Sequence, residues 1–117
     1  MIKGVGTDII EISRIKEATK KEAFLRRIYT EKEIEEFKKR KENISYLAGR
    51  FAAKEAVSKA VGKGMRGVSF KDIEILSDSF GKPYAVVNKD GFENYLIHIT
   101  ISHSKENAIA YCIIEEK

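Results

Sequence analysis

The stretch 44–61 reads ISYLAGRFAAKEAVSKAV and is the strongest helix signal in the chain. It is rich in alanine, lacks proline and contains a single glycine, Gly49. Gly62 and Gly64 follow it, and glycines in that position predict the end of a helix. The stretch therefore predicts one long helix, against which the rest of a small protein would pack.

Strands are predicted on both sides of this helix. Residues 2–10 alternate and are rich in Ile and Val, a pattern typical of a strand. Residues 11–40 are charged and helix-prone, and the spacing of Thr30 and Glu33 predicts a capping box with a helix beginning after Thr30. The sequence predicts further strands at 70–77, 84–88, 95–102 and 108–114, with turns at 78–83 and 104–107. This order predicts an α+β fold with one long helix and shorter helices packed on a largely antiparallel sheet.

The bulk composition bounds the class of protein. A chain of 117 residues predicts a single domain spanning 1–117. The net charge of +4 suggests an anionic partner, but no Lys/Arg block with interleaved aromatics favours nucleic acid. No run approaches the roughly 18 apolar residues of a membrane span, so a cytoplasmic protein is expected. The lone cysteine, Cys112, is interpreted as a small buried hydrophobe.

Glu55 occupies an unusual place in the predicted helix. Leu47, Phe51, Glu55 and Lys59 follow one another at four-residue steps and so share one face. A carboxylate beside an apolar face needs a partner, because an unpaired charge there is costly. One hypothesis is an ordinary ion pair with Lys59, one turn along. The other is that Glu55 binds a metal while Lys59 contacts an anion, and the spacing leaves both open.

Asp8 is the second acidic residue of interest. It shares a strand face with Gly4 and Gly6, and these glycines would leave space for a ligand or for close backbone packing. Asp8 could instead cap the helix that follows the strand. Together, however, Asp8 and Glu55 could supply two oxygens to Mg²⁺, which takes one or two carboxylates plus phosphates and water.

His103 ends the apolar face of the strand predicted at 95–102. It is either a hydrogen-bonded loop residue or, near a phosphate, a hydrogen-bond donor. Two histidines and one cysteine argue against a zinc site. The sequence also lacks a nucleophile elbow and a Walker-type glycine loop.

Four segments resemble, in the expected order, the signature motifs of the phosphopantetheinyl transferases. They are GVGTDI at 4–9, RFAAKEA at 50–56 followed by SKA at 58–60, GKPY at 81–84, and ISHS at 101–104. The resemblance covers essentially the whole chain, and the size is similar to that of the small bacterial holo-acyl-carrier-protein synthases.

The resemblance implies a specific reaction. The family transfers 4′-phosphopantetheine from coenzyme A to a serine of apo acyl carrier protein, releasing adenosine 3′,5′-bisphosphate, in fatty acid biosynthesis. It implies that Asp8 and Glu55 bind Mg²⁺, and that Lys59 and His103 act in catalysis and bind the phosphates or nucleotide. The base that deprotonates the serine is left open between Glu55 and a metal-bound water. Coenzyme A would also contact the segment Gly81, Lys82 and Pro83, although a plain turn there is equally compatible with the sequence.

The resemblance also implies partners. The small members of the family are typically trimers with active sites between subunits. Because acyl carrier proteins are acidic, Arg14, Arg26 and Arg27 form a candidate docking patch, or else an ordinary solvated surface. Two alternatives are a non-catalytic nucleotide- or RNA-binding domain, whose binding would depend on salt, and a purely structural trimer. The lack of exposed aromatic patterning counts against the binding domain, and the structural trimer leaves Asp8 and the pair Glu55 and Lys59 unexplained.

Overall fold

The computed structural model describes residues 1–62 and 68–117, which form four helices and two antiparallel sheets. In chain order the elements are β1 (Ile2–Glu11), α1 (Ile12–Ala18), α2 (Glu22–Ile28), α3 (Glu31–Lys39), α4 (Ile44–Val61), β2 (Ile73–Ser77), β3 (Pro83–Val87), β4 (Tyr95–His103) and β5 (Asn107–Glu116). The predicted α+β class with one long helix is confirmed.

Helix α4 spans the predicted residues because local signals define both of its ends. The side-chain oxygen of Asn43 accepts a hydrogen bond from the amide of Tyr46, at 3.3 Å, and so caps the first turn. Gly62 follows the last turn with φ of 70°, and its amide donates to the carbonyl of Ser58. Gly64 lies outside the described residues. No helix of residues 1–62 and 68–117 combines the length and hydrophobicity that crossing a bilayer requires.

The larger sheet has the order β1-β5-β4, with both pairs antiparallel. Asp8 on β1 lies opposite Ala110 on β5, which in turn lies opposite Ile101 on β4. The inward face of β5 carries Ala110, Cys112 and Ile114, all fully buried under α4. Burial raises the pKa of Cys112 to about 12, as expected for an inert core thiol.

Strands β2 and β3 form a hairpin with its own two-stranded sheet. The strand predicted from residue 70 begins only at Ile73. Residues Phe70–Asp72 instead form a 3-10 turn, because the Asp72 carboxylate accepts a hydrogen bond of 2.8 Å from the amide of Ser69. Such side-chain caps compete with extended backbone.

Helix α4 rests directly on the glycines of β1. A Cβ atom added at Gly6 would lie 2.0 Å from the carbonyl oxygen of Ala56, and one at Gly4 would lie 1.8 Å from that of Ala60. The two glycines therefore serve close backbone packing and leave no room for a ligand. Gly4 and Gly6 are two residues apart on a strand, and Ala60 and Ala56 are four residues apart on a helix, so both pairs are separated by roughly 6 Å. Because the two spacings match, the helix contacts both glycines at once. This contact sets the position of Asp8 against α4.

Candidate active site

Asp8 and Glu55 line the same cleft within one chain. The cleft has a volume of about 340 Å³, and its walls come from β1, α1, α2 and α4. Its lining residues are Asp8, Ile9, Ile10, Arg14, Ile15, Ala18, Phe24, Phe51 and Glu55. Two acids predicted from separate segments are thus brought together by the packing of α4 on β1.

The surrounding burial and the Asp8 carboxylate make the charged form of Glu55 less favourable. Burial, and secondly the charge of Asp8, raise the pKa of Glu55, while Lys59 lowers it. Residues 1–62 and 68–117 contain no cluster of three or more His, Cys, Asp or Glu side chains suited to a metal. The chain therefore offers two carboxylates, a donor set that fits Mg²⁺ with phosphates and water as its remaining ligands.

Lys59 joins this cluster by an unexpected contact. Its Nζ lies 3.1 Å from Oδ1 of Asp8 and donates to the carbonyl oxygen of Thr7, also at 3.1 Å. The ordinary ion pair hypothesised between Glu55 and Lys59 is therefore replaced by one that crosses from α4 to β1. Lys59 is near enough to influence the pKa of Glu55, so the cluster consists of two acids and one cation.

His103 does not reach this cluster within one chain. It ends β4, where the register places it opposite Ala108 on β5 and, one strand further, in line with Ile10 on β1. Two strand spacings separate it from β1 by about 10 Å. It is exposed, and it is not among the residues that line the cleft of Asp8 and Glu55.

The predicted nucleotide-binding segment lies at a second cleft, of about 540 Å³, beside the β2–β3 turn. The turn is well formed, because Oδ1 of Asp78 accepts hydrogen bonds from the amides of Phe80 and Lys82 at 2.8 and 2.9 Å. Gly81 has φ of 84°, which favours glycine there. The cleft is lined by Lys32, Glu35, Glu36, Lys39, Arg40, Tyr46, Leu76, Ser77, Asp78, Ser79, Gly81 and Tyr84.

Arg50, behind this second cleft, is a residue that the sequence interpretation missed. Only 8% of it is exposed; its guanidinium lies 4.2 Å from the ring centre of Tyr46 and donates to Oγ of Ser77 at 2.7 Å. Among the described residues, Nε has no hydrogen-bond partner and no carboxylate pairs with the guanidinium. A buried cation in this state calls for an anion. The sequence feature that could have indicated a role for Arg50 is its position as the first residue of the motif at 50–56.

The three predicted docking arginines separate into two groups. Arg14 lines the cleft of the two acids, and it shares a neighbouring groove with Arg27, Lys20 and Phe24. Arg26 lines a different groove and pairs with Glu22 on its own helix at 3.3 Å. The geometry therefore groups Arg14 and Arg27 beside the acids, and leaves Arg26 apart.

Comparisons with known proteins identify the family to which the chain belongs. The sequence model of the 4′-phosphopantetheinyl transferase superfamily matches residues 4–112. A holo-[acyl-carrier-protein] synthase of Clostridium botulinum is 55% identical, over 98% of this chain and 98% of its own length. The structure of a holo-(acyl-carrier-protein) synthase from Bacillus anthracis in complex with CoA (3′,5′-ADP) is 43% identical, with a TM-score of 0.86 over 100% of this chain and 99% of that one.

A second solved structure is similar. The holo-[acyl-carrier-protein] synthase of Helicobacter pylori, in complex with coenzyme A, is 34% identical, with a TM-score of 0.85 over 95% of this chain and 99% of that one. These similarities extend over nearly the full length of each protein. The family match and the whole-length relatives show that the chain belongs to the 4′-phosphopantetheinyl transferase superfamily.

Proposed function

We propose that this chain is a holo-acyl-carrier-protein synthase, which transfers 4′-phosphopantetheine from coenzyme A to a serine of apo acyl carrier protein. The other product is adenosine 3′,5′-bisphosphate, and the pathway is fatty acid biosynthesis in the cytoplasm, where coenzyme A and the carrier are used. Residues 1–117 would act as one domain. The observation that carries the proposal is that Asp8 and Glu55 line one cleft and that Lys59 forms an ion pair with Asp8.

The chemistry requires that negative charge on the pyrophosphate be neutralised as the leaving phosphate departs. Asp8 and Glu55 would hold Mg²⁺, which when bound supplies charge stabilisation at the phosphate oxygens. Lys59 holds its ammonium beside Asp8 and would contact the phosphates as a point charge. The pKa of Glu55 is raised, which makes this carboxylate a candidate to accept the proton of the attacking serine.

The nucleotide part of coenzyme A would occupy the cleft beside Gly81, Lys82 and Pro83. The buried guanidinium of Arg50, whose Nε has no hydrogen-bond partner among the described residues, supports a phosphate-binding role there. His103 would contribute to the same contacts. This assignment gives an anion to a guanidinium that forms no ion pair with a carboxylate among residues 1–62 and 68–117.

The proposal includes a homotrimer with active sites between subunits. Two observations support it. The cleft of the two acids and the cleft of Gly81 are lined by different residues of one chain, so a neighbouring copy would be needed to complete one site. The face of the β1-β5-β4 sheet away from α4 also exposes apolar side chains suited to such contacts, namely Val5, Ile9, Leu96, Ile109 and Tyr111.

The carrier protein would dock at the groove of Arg14 and Arg27. This groove adjoins the cleft of the acids, so a bound carrier could present its serine to the reacting phosphate. Arg26, which pairs with Glu22, would add only to the long-range field. Such a field steers the encounter of an acidic partner and weakens with salt.

The transfer itself is tested by mass spectrometry of apo acyl carrier protein incubated with the chain and coenzyme A. We expect the carrier to gain one phosphopantetheine group with Mg²⁺ and none with a chelator. Asp8→Asn and Glu55→Gln should each slow transfer by about 100-fold or more, because each removes charge from the cation site. Asp90→Asn, at an exposed turn, is the matched control. An unchanged carrier mass under all conditions would refute the proposal.

The raised pKa of Glu55 has a consequence for stability as well. The folded chain retains the proton above the ordinary value of 4.5, so folding stability falls as the pH rises from that value through the raised one. Glu55→Gln cannot ionise, so this pH-dependent loss of stability is absent from the variant. In chelator, the urea midpoint of the variant relative to the wild type should therefore increase from pH 4 to pH 7. A relative decrease over that interval would contradict the assigned direction of the pKa.

A further inference from the structure

Lys59 holds the position where a metal ion would be needed. Its ammonium lies 3.1 Å from Oδ1 of Asp8 and 3.1 Å from the carbonyl oxygen of Thr7. The Asp8 side chain is only 16% exposed, whereas that of Lys59 is 54% exposed. The carboxylate is thus largely buried, while the ammonium belongs to a long side chain that is about half exposed to solvent.

An ammonium at this place competes with a divalent cation. Both are attracted to the single Asp8 carboxylate, and two cations a few ångströms apart repel each other strongly. A metal ion that enters alone must therefore displace Lys59, which then loses its partner. Metal ions should bind this cluster weakly in the absence of another anion.

Coenzyme A changes this balance. Its pyrophosphate offers Lys59 a new anionic partner and also supplies oxygen ligands to the metal. Lys59 is attached one helical turn from Glu55, so its side chain can move from Asp8 to a phosphate without any change of the backbone. The pyrophosphate therefore frees the carboxylate that the metal needs.

From this geometry we infer that Lys59 is a displaceable internal counter-ion, whose transfer from Asp8 to the pyrophosphate couples coenzyme A binding to metal binding. The inference rests on the proposed function, which assigns Asp8 and Glu55 to the metal. Coupling between two ligands is reciprocal. The metal must therefore also tighten coenzyme A, and removal of Lys59 must reduce both effects.

The test measures Mn²⁺ binding to the full chain by electron paramagnetic resonance, with no carrier protein, in the presence and absence of coenzyme A. We expect Lys59→Met and Lys59→Gln to bind Mn²⁺ alone about tenfold more tightly than the wild type. The further gain on adding coenzyme A should shrink by a similar factor. Lys59→Arg, which keeps the charge, should retain the coupling of the wild type.

Arg14→Gln is the matched control, because Arg14 lines the same cleft but makes no ion pair with Asp8. It should tighten Mn²⁺ by less than about threefold, since its charge acts on the site without a direct contact to Asp8. Tightening equal to that of Lys59→Met would overturn the inference in favour of general electrostatics. Unchanged or weaker Mn²⁺ binding in both Lys59→Met and Lys59→Gln would overturn it in favour of a residue that merely orders Asp8.

These outcomes are separate from the transfer assay. If the wild type modifies the carrier while its Mn²⁺ affinity is independent of Lys59, the inference fails and the proposed function stands. If the wild type never modifies the carrier, the proposed function fails whatever the Mn²⁺ measurements show. Circular dichroism of each Lys59 variant confirms that its affinity refers to folded protein, and the two neutral variants provide independent measurements.

Discussion

Gly6→Ala is expected to lower the free energy of unfolding by about 3 kcal/mol or more, at the upper end of the losses that overpacking causes. The new Cβ would lie 2.0 Å from the carbonyl oxygen of Ala56 and 2.8 Å from the amide nitrogen of Ala60. Both atoms are helix backbone, so no side-chain rotation can relieve the contact. The whole of α4 must shift, and that shift separates small buried side chains that pack against the sheet.

Gly49→Ala is the matched control for this prediction, because it adds the same methyl group between α4 and the sheet. Its Cβ would meet only Cγ2 of Ile101, at 2.9 Å, and a side chain can move. Alanine also gains about 1 kcal/mol over glycine within a helix, so we expect a net change within about 1 kcal/mol. Guanidinium unfolding followed by circular dichroism measures both variants, and equal losses would contradict the backbone explanation.

Gly6→Ala should also impair transfer beyond its effect on stability. Asp8 lies two residues further along β1, and its distance from Glu55 depends on how closely α4 approaches the strand. A folded fraction of the variant should therefore turn over more slowly than an equal amount of wild type. Normal turnover per folded molecule would indicate that the acids tolerate a displaced helix.

Much of this fold could be predicted because the signals are local. Gly62 follows an alanine-rich stretch, so the end of α4 could be predicted from neighbouring residues, and Asn43, which caps its start, is also a local signal. The capping box at Thr30 and Glu33 likewise fixed the start of α3. The glycines of β1, in contrast, were ambiguous, since a strand face without side chains does not indicate whether a ligand or a helix fills it.

The buried charges on α4 could not be predicted in the same way. Helix α4 carries small or apolar residues on most of its faces. No single apolar stripe therefore indicated which of its charged residues point inward. Lys54 is nevertheless fully buried, and Arg50 is 8% exposed. Their surroundings come from α3, β2 and the turn before β2, which lie far away in the sequence.

Lys54 is the centre of this buried polar network. Its Nζ lies 2.7 Å from Oε1 of Glu33 and donates to the carbonyl oxygens of Phe70 and Ile73, at 2.8 and 2.6 Å. Both side chains of the ion pair have no exposed surface. The carboxylate of Glu33 also accepts from the amides of Thr30 and Ile75, at 2.8 and 2.7 Å. The network thus ties α3, α4 and β2 together with every donor of the ammonium satisfied.

Lys54→Ala should therefore lower the free energy of unfolding by about 3–5 kcal/mol, the usual loss when one partner of a buried pair is removed. The variant leaves the Glu33 carboxylate buried without a counter-charge. The double variant Glu33→Gln/Lys54→Met removes both charges, and glutamine can still cap α3. It should lose less than the sum of the two single variants, and a double-mutant cycle from urea unfolding measures this coupling.

The same variants, assayed for phosphopantetheine transfer, decide whether the buried network takes part in the reaction or only stabilises the fold. Lys54 directly precedes Glu55 on α4, yet its ammonium points to α3 and β2 and lies buried away from the cleft of the acids. We expect the folded double variant to transfer phosphopantetheine within about tenfold of the wild-type rate, because its effect reaches the site only through the placement of Glu55. Additive stability losses would show that the two charges do not stabilise each other. A loss of transfer as large as that of Glu55→Gln would place Lys54 in the reaction itself.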